Sequence, residues 1–123
     1  MIIIGHILHP PLSPTWPVYR YVHVCRGNPL GNPFRIGEDG TRAEVIAKYR
    51  DWLPPAYERD EVVRRAIDQL VDHLAHDERP LVLLCYCHPL PCHAAVIAEF
   101  VEAKFNAMMA DYARSYDEQE KET

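Results

Sequence analysis

No apolar run in this chain approaches the ~20 residues that a membrane-crossing helix needs. The opening "MIIIGHILHPPL" is too short, too uncharged and too rich in proline for a signal peptide, so the expected location is the cytoplasm, with no membrane partner. Thiols stay reduced there. The four cysteines, Cys25, Cys85, Cys87 and Cys92, therefore read as metal-binding, catalytic or inert rather than as a disulfide framework. An excess of positive charge is also lacking, since the net charge is −5. Residues 1–50 carry +3 and residues 51–123 carry −8. So acidic a second half disfavours non-specific nucleic-acid binding, which depends on many Lys and Arg contacts to phosphate. The basic first half still leaves room for a local anion site. No repeat and no linker divides the chain. Its 123 residues are expected to form one domain that buries roughly two-thirds of its unfolded surface.

What is present alternates between strand and helix patterns. "MIIIGHI" suits a short strand, and the segment 1–17 then becomes a proline-rich loop around Trp16. "VYRYVHVC" alternates in period two, as a strand does. Thr41 and Glu44 form a capping-box pattern ahead of a helix with Val45, Ile46, Tyr49, Trp52 and Leu53 on one face, and Pro54-Pro55 is expected to end it. A second amphipathic helix carries Val62, Val63, Ala66, Ile67, Leu70, Val71 and Leu74. "LVLLCYC" reads as a buried parallel strand. A long last helix follows from Cys92, its Met108, Met109, Tyr112 and Tyr116 being a candidate homodimer surface. Residues 117–123 are charged, lack apolar anchors and are expected to fray. The predicted fold is a small single-domain α/β protein, its partly parallel sheet flanked by about three helices. Ligands of such sheets gather at the carboxyl ends of the strands, where the loops 26–35 and 88–92 both fall.

The stretch "LLCYCHPLPCH" concentrates the chemistry. Cys85 and Cys87 should share one strand face, with Tyr86 opposite. Cys92 and His93 fall at a helix start, where unpaired N–H groups and the helix dipole favour an anion and are expected to lower a thiol pKa. Three readings stay open. Cys85, Cys87, Cys92 and His93 are the donor types of a tetrahedral zinc site, although Cys-x-Cys is tighter than the usual spacing. Alternatively Cys87 or Cys92 is a thiolate nucleophile, with His93 as proton partner. In the plainest reading Cys85 is a core residue and His93 bonds at the helix start. His6, His9, His73 and His76 have no partner in the sequence and read as surface residues.

In "RGNPLGNPFR", Gly27 and Gly31 permit turns closed to other residues. Asn28 and Asn32 can bond backbone or the polar edge of a ligand. Arg26 and Arg35 present forked donors suited to phosphate or carboxylate. A plain ordered loop would need much the same composition.

Together, "VHVCRGNPLGNPFRIGEDGTRAEVIAKYRDWL" and "LVLLCYCHPLPCHAAVIAEF" resemble a family of short bacterial and phage proteins, domain of unknown function 4326. Arg26, Gly31, Asn32, Pro33, Phe34 and Arg42 match its first block. Cys85, Tyr86, Cys87, Pro89, Cys92 and His93 match its second. Cys25 stands where the family more usually has glycine, and Tyr86 replaces a common tryptophan. The resemblance covers roughly residues 18–102. It implies that the two loops occur as a pair, and a host cytoplasm if the chain is phage-encoded, but it supplies no reaction.

The expectation is thus one polar site. Arg26, Asn28, Gly31, Asn32 and Arg42 would bind a small anionic or nucleotide-like ligand, and Cys87, Cys92 and His93 would supply chemistry. The alternative is a zinc-stabilised module that contacts a protein or nucleic acid without catalysis.

Overall fold

The computed structural model describes residues 2–13 and 18–122; the loop around Trp16 lies in part outside them. Three strands, β1 (Ile2–His6), β2 (Arg20–His23) and β3 (Leu81–Cys85), form a sheet in the order β1-β3-β2. Both neighbours pair with β3 in parallel, so the sheet is wholly rather than partly parallel. β3 occupies the centre because its five residues are apolar throughout and every one is buried. The ladders continue one step beyond the named strands, through Ile7 N–H to the Cys85 carbonyl (2.9 Å) and Val24 N–H to the Leu84 carbonyl (3.0 Å). All three strands therefore leave the sheet along one edge.

Three helices complete the domain: α1 (Arg42–Arg59), α2 (Glu61–His76) and α3 (His93–Glu122). The capping box of α1 forms as expected. Thr41 Oγ1 accepts the Glu44 N–H at 3.2 Å, and Glu44 Oε1 accepts the Thr41 N–H at 3.1 Å. Val45, Tyr49 and Leu53 are buried on the expected face. Pro54-Pro55 does not end the helix, which runs on to Arg59. Arg50, Asp51, Pro54 and Pro55 are all exposed, so the two carbonyls deprived of donors face water rather than the core. Beyond the prolines Tyr57 stacks on Phe100 of α3 and holds the last turn down. Asp60 is the true boundary. Its N–H closes α1 on the Ala56 carbonyl, and its side chain caps α2 through Val62 and Val63 N–H.

α2 buries Val63, Ile67, Leu70 and Val71, whereas Val62 in its first turn is exposed. His73 is not a surface residue: it is 3% exposed. Its Nδ1 lies 3.1 Å from the Arg20 guanidinium and its Nε2 2.7 Å from the Arg79 carbonyl oxygen. α3 is about 45 Å long. Its first half packs on α1, α2, β1 and β3. The helix continues through Glu122, over most of the segment expected to fray. Met108, Met109, Tyr112 and Tyr116 are exposed. Among the described residues no helix is long and apolar enough to cross a membrane.

Leu83, fully buried at the sheet centre, is the position most sensitive to truncation. Leu83→Ala is expected to cost about 2–5 kcal/mol, measured by urea unfolding. Thr41→Ala, which removes only a cap, is expected to cost about 1 kcal/mol.

Candidate anion-binding cleft

Parallel exit from β2 and β3 brings the segments 24–40 and 86–92 together at the sheet edge. The first is a scaffold bonded largely to itself and to α1. Asn28 N–H bonds the Cys25 carbonyl at 3.2 Å, and Gly31 N–H bonds the Asn28 carbonyl at 2.9 Å. Gly27 turns the chain with φ +94°. Gly31 has a different need, because a Cβ there would lie 2.8 Å from the Cys25 carbonyl oxygen. Buried Tyr49 donates its hydroxyl to the Leu30 carbonyl at 2.8 Å and pins the loop to α1; burial pushes that phenol above its usual range. Asn32 Oδ1 accepts the Phe34 N–H, and its amide reaches the Val45 carbonyl.

The second segment turns tightly through a cis His88–Pro89 bond, closed by Leu90 N–H on the Cys87 carbonyl at 2.8 Å. Cys92, the residue before α3, takes the capping position, its Sγ accepting the Ala94 N–H at 3.3 Å. His93 turns inward. It is 7% exposed, its ring lies 5.0 Å from that of Tyr49, and Nε2–H donates to the Val24 carbonyl at 2.5 Å. That bond fixes the tautomer and leaves Nδ1 unprotonated. Burial holds the His93 pKa below its usual value, so the ring is neutral at neutral pH.

Between the two segments lies a cleft of about 420 Å³, within the ~300–1,000 Å³ range of small-ligand sites. Arg26, Arg35 and Arg42 line it with one carboxylate, Glu38. Phe34, Ile36, Val45, Ile46 and Tyr86 supply apolar surface, and Cys85, Cys87, Cys92 and His93 lie at the strand-to-helix junction. Arg26 donates to the Phe34 carbonyl at 3.3 Å and Arg42 to the Pro91 carbonyl at 3.2 Å, so Arg42 also ties α1 to the 86–92 loop. Among the described residues none of these three guanidiniums pairs with a carboxylate, whereas Arg50, Arg65, Arg79 and Arg114 each do.

The cleft thus brings together Arg26, Asn32, Arg42, Cys85, Cys87, Cys92 and His93. Asn28 and Gly31 do not line it. The Asn28 amide donates to Cys25 within the loop, and Gly31 permits the loop's close approach. Arg35, a candidate donor from the sequence, lines it as well; Ile36, Val45 and Ile46 join the wall from the loop and α1, a convergence that period and spacing along the chain do not reveal. Around Tyr86 on the outer side, His6 and His9 form a small aromatic group.

The metal set does not assemble. Among the described residues no three His, Cys, Asp or Glu side chains are grouped to hold an ion. His93 commits Nε2 to a backbone carbonyl, and Cys85 Sγ and Cys92 Sγ stand 3.1 Å apart. Two thiolates on one tetrahedral zinc, each with a bond of about 2.3 Å, sit roughly 3.8 Å apart. As placed, these four side chains do not form a zinc site.

The acidity of the pair also reverses the expectation for Cys92. The hydrogen bond from Cys92, with further backbone N–H donors, lowers the Cys85 thiol to about 5. The same bond, together with burial, pushes Cys92 up despite its place at the helix start. Two sulfurs this close share one proton, and the second proton is held tightly. In the unfolded chain both thiols titrate near ~8.5. As pH rises from about 5 toward that value the native state has released a proton the unfolded chain still holds, so the pair's contribution to stability grows. Above ~8.5 the native Cys92 keeps a proton that the unfolded chain has lost, and the contribution declines. Urea midpoints measured across this range, minus those of a Cys85→Ser/Cys92→Ser variant, are expected to peak near the ordinary thiol pKa. A flat difference would contradict the shared proton.

No curated protein matches the chain, and no solved structure does. A sequence-family model described as domain of unknown function (DUF4326) matches residues 13–103, a span that holds the sheet's second and third strands, α1, α2 and both cleft-forming segments. The chain belongs to the DUF4326 family.

Proposed function

We propose that this protein binds, or acts on, a nucleotide-like or phosphorylated small molecule in the cleft between the 24–40 and 86–92 segments. The observation that carries this reading is the set of three arginines facing one cleft without carboxylate partners. In a chain of net charge −5, an excess of three arginines over the single carboxylate Glu38 in one cleft favours an anion. Forked guanidiniums suit the tetrahedral oxygens of phosphate. Phe34, Ile36 and Tyr86 offer an apolar wall of the kind that a planar base packs against. Half-buried Cys87 is the more accessible thiol of the junction and the better candidate for contact with a ligand. Neutral His93, with Nδ1 unprotonated, is suited to accept a proton. The zinc-stabilised alternative gains no support from the donor geometry.

Calorimetric titration with nucleoside monophosphates, the matching nucleosides and inorganic phosphate tests the reading. Nucleotides are expected to bind, more weakly as salt rises, and nucleosides to bind far less well. A charge-assisted hydrogen bond contributes about 1.5–3 kcal/mol, so Arg26→Ala or Arg35→Ala should weaken binding roughly tenfold or more. Arg42→Ala should do the same and also loosen the 86–92 loop. Binding insensitive to all three substitutions, or equal affinity for nucleosides, would overturn the proposal.

A further inference from the structure

We propose that Cys85 and Cys92 are a redox-active dithiol that peroxide closes to an intrachain disulfide, with Cys87 and Cys25 outside the pair. The sulfurs are 3.1 Å apart and make a direct contact with each other. A bond needs an approach of roughly 1 Å further, to the ~2.05 Å of a disulfide. The backbone holds them in that relation from two rigid elements. Cys85 is the last residue of the central strand, its carbonyl accepting the Ile7 N–H, and Cys92 caps α3.

Access is through the cleft, whose wall both cysteines help to form. Their low exposure, 1% and 6%, admits an oxidant no larger than peroxide and excludes bulky disulfides. One sulfur of the pair, as thiolate, attacks a peroxide oxygen; the O–O bond breaks, a sulfenic acid forms, and the departing hydroxide takes a proton to leave as water. The other sulfur then attacks the sulfenic sulfur, expelling a second water and forming the S–S bond. Two thiols lose two protons and two electrons, and hydrogen peroxide, taking both up, becomes two waters. The acidity of Cys85 supports this order of events, because the thiolate is the nucleophile. The neighbouring thiol resolves the sulfenic acid before further oxidation.

The test uses the full chain, reduced, freed of reductant, exposed to a small excess of hydrogen peroxide and then alkylated under denaturing conditions. Intact mass is expected to show alkylation fall from four thiols to two, with Cys25 and Cys87 labelled and restoration of all four by dithiothreitol. Cys87→Ser should still lose two labels, and Cys92→Ser should not close the bond. Fragmentation of the wild-type peptide locates the linkage without relying on any variant's folding. Four alkylated thiols after peroxide, irreversible overoxidation, or a linkage that includes Cys87 or Cys25 would overturn the proposal. None of these readouts requires a ligand in the cleft, so this proposal and the anion reading stand or fall separately.

Discussion

The parallel pairing of β3 with both of its neighbours is the constraint on which the rest of the molecule depends. A strand of five buried apolar residues can satisfy its backbone only by ladder bonds on both sides. Once β1 and β2 run alongside it in the same direction, all three chains must leave at one edge. That edge receives the glycine- and asparagine-rich segment after β2 and the cysteine-rich turn after β3. Neither segment carries the cleft alone. The sheet juxtaposes them, and Tyr49 and Arg42 of α1 lock the arrangement by bonding to Leu30 and Pro91.

Within that frame the polar residues divide their work. Asn28, Gly31 and Tyr49 hold the loop in shape behind the cleft, and the amide of Asn32 is spent on the bond between loop and helix. Arg26, Arg35 and Arg42 keep most of their donor capacity toward the cleft. His93 joins the two segments from below, since its bond to Val24 links the start of α3 to the end of β2. The same bond commits Nε2 and fixes the tautomer, while burial keeps the ring neutral. Cys85 and Cys92 form a unit whose acidity belongs to the pair and not to either sulfur alone.

Much of this was legible in the chain because it depends on near neighbours. "LVLLC" announces a buried strand, Thr41 and Glu44 announce a helix start, and two unusual loops after two strands announce a shared site. The failures share a different cause: a partner that the local pattern does not point to. Pro54-Pro55 breaks local hydrogen bonds, yet Phe100, contributed by α3, holds the turn that follows. His73 reads as incidental because Arg20 comes from β2, remote in sequence, and the Arg79 carbonyl from the turn that follows α2. Cys92 should be acidic by its place at a helix start, but a hydrogen bond to Cys85 outweighs the dipole. Four soft ligands within nine residues suggest zinc, whereas among the described residues they are not grouped to hold an ion.

The central claim is that this sheet edge presents three unpaired guanidiniums to one anionic ligand. Heteronuclear NMR that resolves arginine Nε–Hε signals, recorded while a nucleoside monophosphate is added, tests it most directly. The account predicts saturating shifts for Arg26, Arg35 and Arg42 and for backbone amides at the start of α3, with the signals of ion-paired Arg50 and Arg79 unmoved. Shifts spread evenly over all arginines, or none at the three cleft positions, would contradict it.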